Sequence, residues 1–227
     1  MATLSDLRTQ AQYLADAVND SHKSTAEWTV WANYHGAELW DELANLFEDR
    51  YTTSTSGLTV SSGVLSFTMS TAMRVRAIEK SVDGGQNWMR VEQTPLREFS
   101  RWRTTRVRSG SPYADVADCT YAIVGTQILI TPSNATSGTF RVWYVPVYTA
   151  MASDSDSLFG GAAVPNQWHE FVAIGMAIDA LGKEESDPSF LMARKAGLLA
   201  RIRKAASNRS PGGSRMRETA THRDEDF

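Results

Sequence analysis

The chain has 227 residues, of which 42% are hydrophobic and 22% are charged, a composition typical of a globular protein that excludes global disorder. Its single cysteine, Cys119, excludes an internal disulfide framework and a Cys-rich zinc module, and no apolar run approaches the roughly 20 residues of a membrane-spanning helix. The net charge of -3 is unevenly spread, because residues 1–50 carry nine acidic and three basic side chains whereas residues 194–217 carry eight basic and no acidic ones. Such asymmetry is typical either of solvated helix faces or of surfaces that contact different partners or further copies of the chain.

Two helices are predicted in the first part of the chain, over 3–19 and 25–48. Apolar residues recur at i, i+3, i+4 and i+7 from Leu4 onward, which is the pattern of an amphipathic helix. Ser24 or Thr25 fits the N-cap of the second helix, with Glu27 in the position that completes a capping box. The predicted apolar face of the second helix consists of Trp28, Trp31, Tyr34, Leu39, Trp40, Leu43 and Phe47.

Residues 50–148 predict a β region. Short stretches of alternating apolar residues among Ser, Thr and Gly are typical of strands and turns. One of the predicted strands places Ile78 among its apolar residues and Lys80 among its polar ones. Thr94-Pro95 predicts the start of a short helix over 95–103. Because the connections between predicted strands are short, we expect the sheet to be mostly antiparallel.

Two further helices are predicted after the β region, over 167–185 with Asn166 as N-cap and over 188–206. Residues 208–227 have no periodicity, and we expect them to form an extended, flexible C-terminal arm. The order of elements predicts an α+β fold, in which the N- and C-terminal helix pairs form a helical bundle and a mostly antiparallel β region is inserted between them. We expect residues 1–207 to form a single domain.

The sequence contains no recognisable catalytic or metal-binding motif. The four histidines lie outside any metal-ligand spacing, and neither a phosphate-binding loop nor a nucleophile elbow occurs. Cys119 is predicted to be a buried structural residue. Four arginines surround Trp102 in the segment 101–108, and arginines interleaved with an aromatic side chain can bind a phosphate backbone or another anionic ligand. We therefore predict that the protein is not an enzyme and holds no metal or cofactor.

Two segments resemble a known family. In the first, Trp168-His169-Glu170 opens an Ala-rich helix that ends in Lys183-Glu184-Glu185 and continues through Asp187 into a helix with regularly spaced Arg and Lys. In the second, IVGTQILITP (123–132) and VWYVP (142–146) are similar to a β-hairpin that precedes this helix. With these patterns the chain resembles the head-to-tail adaptor proteins of tailed bacteriophages, also called connector or head-completion proteins.

The resemblance implies a structural protein of the virion neck, made in the cytoplasm of the bacterial host. It implies a homo-oligomeric ring of about twelve copies, matching the symmetry of the portal. Such a ring docks under the portal protein, extends the DNA channel and provides the attachment site for the tail. The implied partners are the portal protein, a tail-side neck or tail protein, further copies of the chain and, through non-specific proximity, genomic DNA, with no membrane.

Three groups of candidate site residues follow from the resemblance. The portal-docking arm, 208–227, would use as anchors Arg209, Arg215, Met216, Arg217 and Phe227. The channel lining or the subunit contacts would use Arg194, Lys195, Arg201, Arg203 and Lys204. A loop that faces a neighbouring subunit or the tail would use Arg103, Arg106, Arg108 and Tyr113.

Two alternatives stay open on the sequence. The nearest is a tail-side completion or ring protein of the same virion. The other belongs to a different class, a soluble domain that binds an anionic ligand through the segment from Arg101 to Arg108. An adaptor should assemble on a ring template, whereas the ligand-binding domain should be a stable monomer that binds its ligand saturably.

Overall fold

The computed structural model describes residues 2–18, 22–98, 119–131, 138–161 and 166–209. The described residues fall into two compact units, one drawn from Met1–His35 and Ala163–Phe227 and the other from Gly36–Ala162. The first unit is helical and the second contains a β-sheet. Along the chain, the boundary between them falls inside one continuous helix.

The α-helices with defined bounds in the described residues are α1 (Leu4–Leu14), α2 (Thr25–Leu46), α3 (Glu48–Tyr51), α4 (His169–Lys183) and α5 (Ser189–Arg209). A capping box starts α1, because the Asp6 N–H donates to Thr3 Oγ1 at 3.2 Å and the Thr3 N–H donates to Asp6 Oδ2 at 3.0 Å. The chain leaves this helix before Asp16, whose φ is +53°, so α1 ends at Leu14 instead of continuing to residue 19.

Helix α2 begins with the predicted capping box. The Ser24 N–H donates to Glu27 Oε2 at 2.8 Å, and the Glu27 N–H donates to Ser24 Oγ at 3.3 Å. This part of the sequence prediction is confirmed, because both partners of the box lie within one turn and need no tertiary contact.

Helix α4 is buried around most of its circumference. Its fully buried residues are Phe171, Val172, Ala173, Ile174, Met176, Ala177 and Ala180. The helix begins at His169, after a 3-10 turn over Asn166–Trp168, so that Trp168 and not Asn166 occupies the N-cap position. A helix buried on nearly all sides marks the centre of its unit, and α1 and α5 both pack on it.

The second unit is built around one sheet of eight strands. They are β1 (Thr53–Leu58), β2 (Val60–Ser61), β3 (Val64–Leu65), β4 (Ala72–Ser81), β5 (Met89–Gln93), β6 (Thr120–Val124), β7 (Gln127–Thr131) and β8 (Thr139–Pro146). Their order across the sheet is β1-β8-β4-β5-β6-β7-β3-β2. The described neighbours pair antiparallel except β5 and β6, which are parallel.

The sheet curls until it is nearly closed. Strands β1 and β2 stand at opposite ends of the strand order, yet Thr59 alone separates them along the chain. The Ser66 N–H donates to the Thr59 carbonyl at 2.9 Å, and the Thr59 N–H donates to Ser66 Oγ at 2.9 Å. A sheet whose two edges adjoin one residue cannot be flat, so its inner face encloses a core of its own.

The predicted fold class, a helical bundle with a β region inserted between its halves, is therefore wrong. The protein is a mixed α/β structure in which the nearly closed sheet has its own hydrophobic core. The residues of that core that are at most 1% exposed are Ile78, Val91, Ile128, Ile130, Phe140 and Val142. The error arose because β1, β2 and β3 are short and rich in Ser, Thr and Gly, so they resemble turns until their pairing partners are known.

Lys80 departs from the predicted pattern of β4. Its side chain is fully buried, and its Nζ lies 5.7 Å from the centroid of the Phe140 ring. Residues two apart in a strand share a face, so Lys80 follows Ile78 into the core regardless of its charge.

The short helix predicted over 95–103 can be described only at its start, where the Glu98 N–H donates to the Pro95 carbonyl at 2.8 Å, since its remainder lies outside the described residues.

Candidate interaction surfaces

Helix α5 carries the five basic residues predicted for the channel or the subunit contacts. Its buried face consists of Leu191, Leu198 and Ile202, which lie seven and four residues apart and therefore on one side of the helix. The basic residues occupy the rest of the circumference, at Arg194, Lys195, Arg201, Arg203 and Lys204. Their contacts divide them into two groups.

Arg194 and Lys195 contact groups inside the helical unit. The Arg194 guanidinium forms an ion pair with Glu170 of α4. The Lys195 ammonium lies 3.1 Å from His35 Nδ1 and 4.5 Å from the centroid of the Phe171 ring, in cation–π geometry. These two residues therefore help to join α5 to α4 and α2.

His35 lies between two charged side chains, and no sequence pattern singled it out. It is 5% exposed, and its Nε2 lies 3.0 Å from Asp179 Oδ2. Because the Lys195 ammonium can only donate, Nδ1 accepts, and the ring proton is on Nε2, from which it is donated to Asp179. Gly175 packs against the ring so closely that a Cβ there would lie 2.5 Å from His35 Cδ2. A glycine in the middle of an Ala-rich helix was the one sequence signal of this contact.

Arg201, Arg203 and Lys204 form the second group and are exposed on the last turns of α5. Arginine and lysine have high helix propensity, so the three charges are compatible with a stable helix. They present a positively charged surface where the chain approaches the predicted arm.

Exposed apolar side chains lie on two helices of the first unit. Val30 and Tyr34 of α2 are 65% and 68% exposed, and at the start of α5 Phe190 and Met192 are 75% and 56% exposed. The prediction that Tyr34 lies on the buried face of α2 was wrong, because the buried residues Trp28, Ala32 and His35 lie on the opposite side of the helix. Val30 and Tyr34 are one turn apart and share a face of α2, and contiguous exposed apolar side chains are typical of surfaces that bind another protein.

The sheet unit contains a cluster of charged and aromatic side chains centred on Glu79. Its Oε2 accepts hydrogen bonds from Arg141 Nε at 2.8 Å and from Trp143 Nε1 at 2.7 Å. The Arg141 guanidinium lies between the Trp88 and Trp143 rings, 4.3 Å and 4.9 Å from their centroids. Glu79, Arg141 and the Trp143 indole N–H are therefore paired with one another, and these contacts join β4 to β8.

A shallow groove of about 460 Å³ adjoins this cluster. Its charged lining residues are Asp49, Arg76, Glu79 and Arg90. Arg76 already pairs with Asp49 at 3.0 Å, and Glu79 pairs with Arg141. Charges of both signs, most of them paired, do not make a groove selective for an anion or a cation.

The model of one protein family, described as SU10 adaptor protein, matches residues 2–221. The chain belongs to the SU10 adaptor protein family. The match covers nearly the whole chain, so the resemblance to the head-to-tail adaptors of bacteriophages is confirmed. No curated protein matches this SU10 adaptor. The family indicates a structural adaptor protein of a bacteriophage, and hence a location in the virion.

The remaining candidate residues of this SU10 adaptor lie outside the described residues, apart from Arg209, the last residue of α5. They are the arm residues Arg215, Met216, Arg217 and Phe227 and the loop residues Arg103, Arg106, Arg108 and Tyr113. Their assignments stay predictions, as does the nucleic-acid or ligand-binding role of the segment 101–108.

Cys119 lies where the sequence predicted, in the core of the sheet unit of the SU10 adaptor. It is 3% exposed, and burial raises the pKa of its thiol to about 11. Within the described ranges, no three His, Cys, Asp or Glu side chains come close enough together to hold a metal ion. None of the helices in those ranges combines the length and the apolar character needed to cross a membrane.

Proposed function

We propose that this SU10 adaptor assembles into a homo-oligomeric ring of about twelve copies that docks under the portal, extends the DNA channel and provides the attachment site for the tail. The proposal is carried by the family match, which spans residues 2–221 and so includes both units and most of the predicted arm. In this proposal the protein has no catalytic activity and needs no cofactor. It is made in the cytoplasm of the bacterial host and is incorporated in the virion neck.

The portal-docking element in this proposal is the arm, 208–227, with its anchors Arg209, Arg215, Met216, Arg217 and Phe227. Helix α5 supports it, because this helix is fixed to its unit by Leu191, Leu198 and Ile202 and continues to Arg209. An arm that orders only on binding gives a large contact area and makes assembly depend on the presence of the portal.

The exposed arginines and lysine on the last turns of α5 supply the positive charge for contacts at the ring. Positive side chains attract a phosphate backbone without regard to base sequence, which suits non-specific proximity to DNA in a channel. The loop residues Arg103, Arg106, Arg108 and Tyr113 are proposed to contact a neighbouring subunit or the tail-side neck protein.

The proposal is tested by cosedimentation with the purified portal protein. The full chain is compared with a chain that ends at Arg209, which leaves α5 intact. We expect the full chain to sediment with the portal and the truncated chain to stay in the supernatant with an unchanged melting temperature. The double variant Arg215→Glu/Arg217→Glu should bind less than the full chain, whereas the control Arg97→Glu, on an exposed side chain of the sheet unit, should bind equally well.

Three outcomes would contradict parts of the proposal. Equal portal binding by the truncated chain would show that residues 210–227 are not the docking element. Binding to purified tails but not to the portal would favour the tail-side completion protein. A stable monomer that binds an oligonucleotide saturably, and loses that binding when Arg103 and Arg106 are replaced, would favour the anion-binding domain.

A further inference from the structure

We infer that neighbouring copies of this protein contact each other through helices α2 and α5, with the α2 stripe of one copy packed in parallel on the α5 stripe of the next. The α2 stripe is Val30, Tyr34, Glu38 and Asp41. The α5 stripe is Ala193, Gly197, Arg201 and Lys204. This inference rests on the proposed ring and assigns the surface that closes it.

The α2 stripe lies on one face of its helix and is exposed along its whole length. Successive members are four, four and three residues apart, a spacing that keeps them on one side of an α-helix. Its first half is apolar, since Val30 is 65% and Tyr34 is 68% exposed, and its second half is acidic. The stripe therefore offers a large apolar contact followed by negative charge.

The α5 stripe has the same spacing of four, four and three residues, and all four of its members are exposed. Its first half is small, and a Cβ added at Gly197 would meet no atom within 4 Å. Its second half is basic. The stripe is therefore a shallow surface that the described residues of the same chain leave uncovered at Gly197. The positively charged side chains of Arg201 and Lys204 follow it along the helix.

The two stripes are complementary when the helices run in parallel. Val30 then faces Ala193 and Tyr34 faces Gly197, so that each large side chain meets a small one, and helix axes can approach to about 8 Å. The acids Glu38 and Asp41 then face Arg201 and Lys204. Each stripe spans twelve residues, or about 16 Å from first to last at the rise of an α-helix, so the apolar and charged contacts stay in register together.

The occupant of each stripe is a second copy and not an unrelated protein, because one sequence carries both complementary halves. The contact joins two different surfaces and is therefore heterologous, the kind of contact that repeats around a ring. Of the two roles predicted for Arg201 and Lys204, channel lining and subunit contact, it assigns the subunit contact.

The first test uses disulfide crosslinking of the full chain with the double variant Tyr34→Cys/Gly197→Cys. Cys119, the one native cysteine, is buried and does not compete. Under oxidation we expect a ladder of covalent oligomers, because each copy carries one cysteine for each neighbour. The control Tyr34→Cys/Gly182→Cys places the second thiol on an exposed site of α4, away from the α5 stripe, and should give no ladder.

The second test uses charge reversal and measures self-association by sedimentation, alone and on the portal. Glu38→Lys/Asp41→Lys and Arg201→Glu/Lys204→Glu should each weaken self-association about tenfold or more, because like charges then face each other. All four changes in one chain should restore it to within a few fold of the parent. The control Glu92→Lys, at an exposed site on β5, should leave it unchanged.

The outcomes separate this inference from the proposed function. A ladder together with restoration in the fourfold variant supports it. Assembly on the portal with no ladder and no effect of charge reversal overturns the α2–α5 contact while the proposed ring stands. Failure of the parent chain to self-associate, with or without the portal, overturns both.

Discussion

The close approach of Gly175 to His35 in the helical unit provides a sharp stability prediction, for the substitution Gly175→Ala. The new Cβ would lie 2.5 Å from His35 Cδ2 and 2.7 Å from Nδ1, about 1 Å inside ordinary van der Waals contact. The ring cannot simply move aside, because it is 5% exposed and is held by Asp179 at 3.0 Å and Lys195 at 3.1 Å. The substitution must therefore displace His35 and lengthen both contacts.

The expected magnitude follows from three opposing contributions. Alanine in a helix interior is favoured over glycine by up to about 1 kcal/mol. Overpacking a well-packed site costs about 1–3 kcal/mol, and a hydrogen bond to a charged group contributes about 1.5–3 kcal/mol. We expect Gly175→Ala to lower the free energy of unfolding by about 2–3 kcal/mol, or the melting temperature by about 4–12 °C.

The assay is equilibrium unfolding in urea, followed by circular dichroism, with Gly182→Ala as the matched control. Gly182 is in the same helix, and a Cβ there would meet no atom within 4 Å, so that variant should be as stable as the parent or slightly more stable. When His35 is replaced by alanine, the methyl group added by Gly175→Ala has room. Gly175→Ala/His35→Ala should therefore be no less stable than His35→Ala alone. Equal stability of the two single glycine variants would refute the close packing of Gly175 against His35.

Two further predictions concern ionisable groups. The hydrogen bond from Lys183, followed by that from the Ser24 backbone, lowers the pKa of Glu27 to about 2. Its contribution to stability is therefore complete above the unfolded pKa of about 4.3 and is lost as the pH falls towards 2, so Glu27→Gln should flatten the fall in melting temperature over that window. Because burial raises the pKa of Cys119 to about 11, its thiol should react with a soluble disulfide reagent at pH 8 at least about a hundredfold more slowly in the folded protein than in urea. Equal reaction rates would show that the core of the sheet unit opens freely.

Features encoded in neighbouring residues could be predicted from the sequence. The capping box of Ser24 and Glu27 is made within one helical turn. The resemblance to phage adaptors, seen in the pattern around Trp168-His169-Glu170, is confirmed by the match to the SU10 adaptor family. Burial of Cys119 also followed from residue type, since a lone cysteine in an apolar strand is favoured in a core.

Features that depend on distant pairing could not be predicted in the same way. The parallel pair of β5 and β6 joins Glu92 to Thr120, and the pairing of β1 with β8 joins Thr53 to Tyr144. No local signal specifies such partners, so the β region over 50–148 is predicted from the sequence as an insertion in a helical bundle, whereas its strands form a nearly closed sheet.

Burial predicted from residue type was wrong at positions where the tertiary structure decides which face is covered. Lys80 lies in the core because strand geometry places it beside Ile78, and Tyr34 is exposed because the buried face of α2 follows Trp28 and His35. Periodicity along a segment sets which residues share a face, through the geometry of hydrogen bonds between near neighbours. Which face is then covered, by a core or by another copy, depends on contacts between residues far apart in the chain, and those exist only in the folded structure.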